Sequence, residues 1–111
     1  MKNDNLNERT IKITNGNLKS HHIYITAVRD MLPADVLGGS TKEQESTTKI
    51  LVKFNPGPMV ETDIPKGRNF FRNRAGIKEF FERANIKEND LIVIKKLGTH
   101  RFSIFPADPI G

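Results

Sequence analysis

Residues 74–94, with the sequence RAGIKEFFERANIKENDLIVI, decide most of the fold. Their first half places apolar residues at the i, i+3, i+4 and i+7 spacing of one helix face, namely Ile77, Phe80, Phe81 and Ala84. Asn73 is a candidate N-cap just before them, and Asn85 can end the helix in a left-handed conformation. Residues 91–94 are apolar on both faces, which predicts a buried β-strand. The stretch therefore predicts a helix, a turn and a strand that share one core.

The residues just before this helix form a basic segment, which we define as residues 66–74 (KGRNFFRNR). It contains four cations and no acid. The helix dipole leaves a partial positive charge at a helix N-terminus, so cations are mildly unfavourable there. Phosphate would compensate them, because helix N-termini and guanidinium groups both bind phosphate oxygens. The segment predicts an anionic partner, although a cluster of cations can also be a solvated surface without a ligand.

Composition limits the chain to one small domain. It has 111 residues, a formal net charge of +5, 36% hydrophobic residues and no cysteine. We predict a leader over residues 1–9, one domain over residues 10–106 and a tail over residues 107–111. The absence of cysteine excludes disulfides, thiol nucleophiles and cysteine-based zinc sites. No stretch has the length of a membrane span and no signal peptide is visible, which favours a cytoplasmic protein.

Alternating and turn-forming residues predict further strands. Residues 10–14 and 22–26 are predicted to form a hairpin around Asn15-Gly16-Asn17, and Pro33 can begin a short helical turn over residues 33–37. Residues 38–48 are too polar to be buried and are predicted to form an exposed arm.

The remaining strands are predicted as two more hairpins. Residues 49–54 and 59–64 flank a turn at residues 55–58, and residues 91–94 pair with residues 101–105 before Pro106 ends the pattern. Six or seven short strands with one good helix and one short helix favour a mainly β barrel or pseudobarrel.

Catalytic motifs are not recognisable. A restriction-type nuclease site needs an Asp followed by an acid-x-Lys unit, and neither Glu-x-Lys nor Asp-x-Lys occurs in the chain. Walker and nucleophile-elbow motifs are also absent. His21 and His22 are adjacent and would point to opposite faces of a strand, and His100 lies at a turn. We therefore predict no catalytic activity, no metal site and no cofactor.

Several short motifs carry a family resemblance. They are Ile23-Tyr24-Ile25, Pro33-Ala34-Asp35, Gly38-Gly39-Ser40 and Val60-Glu61-Thr62-Asp63-Ile64, together with the stretch from Arg74 to Ile94. With these motifs, residues 22–105 resemble the B-three type DNA-binding pseudobarrel, which occurs in plant transcription factors and in the DNA-recognition domains of bacterial restriction endonucleases. The family usually has Trp where Ile77 stands, and Gly-Asp where this chain has Asn89-Asp90. Both departures preserve the role of the position.

The resemblance implies an open, seven-stranded barrel that binds double-stranded DNA through two arms in the major groove. The basic segment would be one arm, with base-contacting candidates Arg68, Asn69, Arg72, Asn73 and Arg74. Residues 38–48 would be the other, with candidates Ser40, Lys42, Glu43 and Gln44. Phosphate contacts would come from Arg29, Lys49 and Lys66. The expected protein is a monomeric recognition or effector module of a restriction system, whose nuclease is a fused or separate domain.

Two alternatives stay open. Phe70-Phe71 could be a stacking platform for unpaired bases, although a small core needs at least one of these rings. The whole domain could instead bind RNA or an acidic protein, since charge alone does not distinguish these partners.

Overall fold

The computed structural model describes residues 7–33, 35, 48–65 and 67–107. Five strands and two α-helices are found in these ranges, together with one 3₁₀ helix at Thr26–Met31: β1 (Glu8–Lys12), α1 (Asn15–Ser20), β2 (Ile50–Phe54), β3 (Met59–Thr62), α2 (Ala75–Arg83), β4 (Leu91–Gly98) and β5 (Arg101–Pro106). None of the described helices has the length and apolarity needed to span a bilayer.

The strands form one open sheet in the order β1-β4-β5-β2-β3. Strands β2 and β5 are parallel, and the other neighbours are antiparallel. The prediction of a mainly β chain is confirmed, but the described residues form five strands rather than a seven-stranded barrel. The predicted arm over residues 38–48 lies outside the described residues except for its last residue, and so does most of the helical turn over residues 33–37.

The predicted first hairpin is wrong. Asn15-Gly16-Asn17 begins helix α1 instead of forming a tight turn, because Thr14 and Asn17 make a capping box. The Thr14 hydroxyl accepts from the Asn17 N–H at 3.2 Å, and the Asn17 side chain accepts from the Thr14 N–H at 2.7 Å. Strand β1 starts at Glu8, inside the predicted leader, and pairs with β4. Residues 22–26, the predicted second strand of this hairpin, form one isolated β-bridge instead, between Tyr24 and Phe70.

The other two hairpins and the main helix are confirmed. Ile50, Val52 and Phe54 of β2 are buried, and β3 pairs with β2 across the predicted turn. Asn85 and Asn89 have positive φ angles of 55° and 75°, as the turn chemistry predicts.

Strand β4 is buried on one face only. Ile92 and Ile94 are fully buried, whereas Leu91 is 46% exposed on the opposite face. The prediction of a strand buried on both faces is therefore wrong. Burial on both faces requires cover on both sides of the sheet, and Leu91 lies on a side that solvent reaches.

The core lies between the inner face of the sheet and helix α2. Phe54 of β2 packs against Phe80 of α2 with ring centroids 5.4 Å apart. The helix comes close because a Cβ at Gly76 would lie only 2.9 Å from Val60 Cγ1. Phe71 and Ile64 complete this core at 1% exposure each. The basic segment is therefore anchored to the core, because its own residue Phe71 is a core residue.

Candidate nucleic-acid interface

The described part of the basic segment, residues 67–74, is held along both sides by backbone hydrogen bonds. On one side, the Ile25 N–H donates to the Asn69 carbonyl at 2.9 Å. On the other side, the Arg72 N–H donates to the Asp63 carbonyl at 2.9 Å. The segment therefore lies between residues 24–26 and residues 62–64, and its side chains have defined directions.

The Arg72 side chain binds another residue of the protein, Asp63. Its Nε and Nη2 donate to Oδ1 and Oδ2 of Asp63 at 2.5 and 3.1 Å. The Asp63 side chain is fully buried and that of Arg72 is 16% exposed. The guanidinium fork therefore binds a carboxylate of the protein itself, in the bidentate geometry that it would use for guanine or phosphate.

Asn69 is also engaged within the protein. Its Nδ2 donates to the Thr26 hydroxyl, and its Oδ1 accepts from Arg29 Nη1 at 3.3 Å. Both ends of the amide are thus used, which leaves it poorly suited to grip adenine in the same conformation. The contact brings Arg29 beside the basic segment, although the two are distant in sequence.

The Asn73 side chain caps the first turn of helix α2, although the N-cap position itself is Arg74, one residue later than predicted. Its Oδ1 accepts from the Gly76 N–H at 3.0 Å, and its own N–H donates to the Thr62 hydroxyl at 2.9 Å. The assigned helix begins at Ala75, one residue later than the cap would give, which is the usual scatter of helix boundaries.

Three arginines of this region are exposed, and we call them the outward arginines: Arg29, Arg68 and Arg74. Arg74 Nε donates to the Ser20 carbonyl at 3.1 Å, which ties the segment to the end of helix α1. Arg68 makes no side-chain hydrogen bond or ion pair with the described residues. Lys49 is half-buried just before β2, while Ser40, Lys42, Glu43, Gln44 and Lys66 lie outside the described residues.

An aromatic cluster adjoins the outward arginines. The His22 ring stacks on Phe70 with centroids 3.8 Å apart, and Tyr24 meets Phe70 edge-on at 6.3 Å. Tyr24 is 43% exposed. His22 and Tyr24 are not among the site residues that the sequence predicts. The bridge between Tyr24 and Phe70 joins distant segments, so only the Ile23-Tyr24-Ile25 motif could have indicated it.

The pKa of His22 reflects the positive charge of this region. Burial lowers the pKa of His22 below its ordinary value of 6.5, and the charges of Arg74, Arg68 and His21 lower it further. Two outward arginines therefore act on one imidazole, which means that they share a region of positive potential.

Phe71 is the core residue of the predicted aromatic platform. It is 1% exposed, whereas Phe70 is half-buried with one ring face stacked against His22. The two rings therefore do not form a common exposed surface.

The described residues contain no candidate metal site. No group of three or more potential ligands occurs among the described residues. His100 Nε2 lies 2.9 Å from Asp35 Oδ1 at the protein surface, which gives a histidine–carboxylate pair.

The fold is similar to that of a solved structure, the N-terminal domain of Helicobacter pylori LlaJI.R1, with a TM-score of 0.57. The match covers 92% of this chain and 88% of that chain, at 9% sequence identity. At this identity the similarity is one of fold. No protein-family model matches the sequence, and no curated protein matches it significantly.

Proposed function

We propose that this chain is a double-stranded DNA-binding module of the pseudobarrel type, which reads a short sequence in the major groove and has no catalytic activity of its own. The observation that carries the proposal is the placement of the outward arginines. They lie in or beside a segment whose backbone is held on both sides, so the cations extend from fixed positions of the chain.

Electrostatics support an anionic ligand at this surface. The chain carries a net charge of +5, and the basic segment contains no acid. The acid in direct contact with the segment, Asp63, is already paired with Arg72. The basic segment therefore has no acid of its own to compete with a ligand, and guanidinium groups bind both phosphates and the N7 and O6 atoms of guanine.

The fold supports the choice of DNA. The sequence resembles B-three type DNA-recognition domains, which occur in bacterial restriction systems, and the chain has a fold similar to that of the N-terminal domain of Helicobacter pylori LlaJI.R1. We accordingly propose a recognition or effector module of such a system, in which a fused or separate domain supplies the nuclease.

The contacts suggest a division of roles within the proposed interface. Arg68 and Arg74 are proposed to contact bases, with Arg29, Lys49 and Lys66 on phosphates. Asn73 would combine its capping role with a base contact. Asn69 and Arg72 are proposed to hold the segment in place. The second arm is proposed to contribute Ser40, Lys42, Glu43 and Gln44.

Competition binding tests the proposal. The chain should bind duplex DNA more tightly than the corresponding single strands, and its affinity should fall steeply as salt rises. Selection from randomised duplexes should enrich one short site, with specific affinity well above that for random DNA. Equal binding to duplex and single strands, or no enrichment, would contradict a sequence-reading duplex binder.

A second candidate is an RNA or single-strand binder, which the exposed ring of Tyr24 favours because bases stack on aromatic side chains. The same competition separates the two, since this candidate predicts tighter binding to single strands. Incubation of plasmid with the chain and Mg²⁺ tests catalysis, and we expect no cleavage.

A further inference from the structure

Asp63 is a fully buried acid in direct contact with the segment proposed to bind DNA. We infer that Asp63 is a positioning residue for DNA binding. Its ion pair with Arg72 fixes the basic segment, so the Asp63 carboxylate is required for the segment to bind DNA although it carries the same sign of charge as DNA. The inference rests on the proposed function and deepens it, because it assigns Arg72 to the protein rather than to a base.

Asp63 and Arg72 are joined both through the backbone and through their side chains. The Arg72 N–H donates to the Asp63 carbonyl, and the Arg72 side chain returns to the Asp63 carboxylate through two nitrogens. The residues on either side of the pair are also held. Phe71 is buried in the core, and the Asn73 N–H donates to the Thr62 hydroxyl. Arg72 is thus fixed at its backbone, at its side chain and through both chain neighbours.

Because Asp63 is buried, its carboxylate must keep a partner. A carboxylate in the protein interior is stable only when it is paired and hydrogen-bonded, and removal of one partner from a buried ion pair is strongly destabilising. If Arg72 turned outward to DNA, it would leave its buried carboxylate. The pair therefore favours one position of the segment, with Arg72 inside.

The fixed position determines where neighbouring arginines point. Arg74 is two residues from Arg72 and reaches the Ser20 carbonyl, while Arg68 lies beside Asn69, whose amide holds Thr26 and Arg29. A shift at Arg72 would be transmitted to both outward arginines of the segment through a short length of chain. Loss of one well-placed arginine–base contact weakens DNA binding by roughly 5-fold to 150-fold.

Simple electrostatics and positioning make opposite predictions. Removal of an acid near a DNA-binding surface raises the net charge and should strengthen binding. Removal of a positioning acid should weaken it. Glu61 offers a matched control, because it is an exposed acid on the same strand as Thr62, and Glu61→Gln changes the net charge as Asp63→Asn does.

The experiment compares Asp63→Asn, Glu61→Gln and the wild-type chain for binding to the selected duplex, with folding checked by circular dichroism. We expect Asp63→Asn to bind roughly 10-fold to 100-fold more weakly, as for the loss of a base contact, and Glu61→Gln to bind as tightly as wild type or more tightly. A folded Asp63→Asn variant that binds as well as Glu61→Gln would overturn the inference while the proposed function stands. A wild-type chain that does not bind duplex DNA would overturn both.

Arg72→Lys decides the matter if Asp63→Asn does not fold. Lys keeps the positive charge but lacks the two-pronged fork, so it can replace a simple phosphate contact and not a bidentate pair. We expect weaker binding to the selected site and reduced preference for it over random DNA. Undiminished binding and preference in a folded Arg72→Lys variant would overturn the positioning role.

Discussion

At the scale of single residues, Arg68 is the sharpest test of base reading. Its side chain is exposed and makes no hydrogen bond or ion pair with the described residues, so its removal should disturb the fold little. If Arg68 grips a guanine, Arg68→Ala should cost about 1–3 kcal/mol of binding free energy and relax the preference at one base pair. Fluorescence anisotropy on the selected duplex and on its single-base-pair variants measures both quantities.

Lys95→Ala is the control for Arg68, because it removes one exposed cation from strand β4 in the sheet. It should weaken binding less, and equally for all sequences. A loss from Arg68→Ala that is the same for every sequence would make Arg68 a phosphate contact.

His22 gives a pH-dependent prediction about stability. Its pKa is lowered in the folded protein, first by burial and then by nearby cations, so the unfolded chain binds a proton more readily. Stability should therefore be greatest above the ordinary pKa of 6.5 and should decline as the pH falls toward the lowered value. Urea unfolding between pH 5 and 7, about the range in which histidine titrates, should show a smaller decline for His22→Gln. The same decline in both proteins would contradict the assignment to His22.

Single residues also show why the site could be predicted only in part. The sequence identifies the basic segment, and it lies as expected before helix α2. It cannot separate Arg68 from Arg72, since both are arginines in one short run. The difference depends on Asp63, whose buried position is set by the packing of Ile64 and Phe71 in the core.

At the scale of elements, the start of helix α2 links stability to the proposed interface. The Asn73 side chain accepts from the Gly76 N–H, one of the N–H groups that has no partner within the helix. Asn73→Ala should therefore lower the free energy of unfolding by about 0.5–2 kcal/mol, whereas Asn73→Ser should retain most of the stability because serine also caps helices. Urea denaturation of the three proteins measures the difference.

The serine variant also isolates the proposed base contact of Asn73. If Asn73→Ser is as stable as wild type but loses preference at one base pair, the side chain has both roles. Equal instability of the serine and alanine variants would contradict the capping role.

Elements were predicted well where periodicity and turn chemistry agree, and poorly where one motif serves two structures. The apolar spacing in helix α2 has one interpretation. Asn15-Gly16-Asn17 suits a hairpin turn, but Thr14 and Asn17 make the same residues a helix start. The choice between them depends on a partner for β1, and that partner is β4, far along the chain.

At the scale of the whole molecule, the sheet order could not be read from local patterns. Two of the four strand pairings, β1 with β4 and the parallel pair β2 with β5, join strands that are not consecutive in the sequence. Local turns indicate only the hairpins β2–β3 and β4–β5. The family resemblance predicted a mainly β fold, and the five-stranded sheet of the described residues is consistent with that coarse class.

The salt dependence of binding tests the molecule as a whole. Each phosphate that the protein neutralises on B-DNA contributes about −0.9 to the slope of log affinity against log salt, because counterions are released. With Arg29 on a phosphate and Arg68 and Arg74 on bases, as proposed above, replacing all three with alanine should reduce the slope by about 0.9, and by about 2.7 if each of the three neutralises one phosphate. An arginine that contacts a base instead would make the reduction smaller, and the single variants show which one it is.

A second triple variant separates a defined surface from diffuse attraction. Lys12, Lys95 and Arg101 are exposed cations of strands β1, β4 and β5, and their replacement with alanine removes the same net charge. Long-range attraction is screened within about 10 Å at 0.1 M salt, so cations that do not touch the DNA should change the slope little. Replacing the outward arginines should therefore reduce the slope more than replacing the sheet cations does. Equal reductions by the two triple variants would mean that net charge, rather than the geometry of residues 67–74, attracts the DNA.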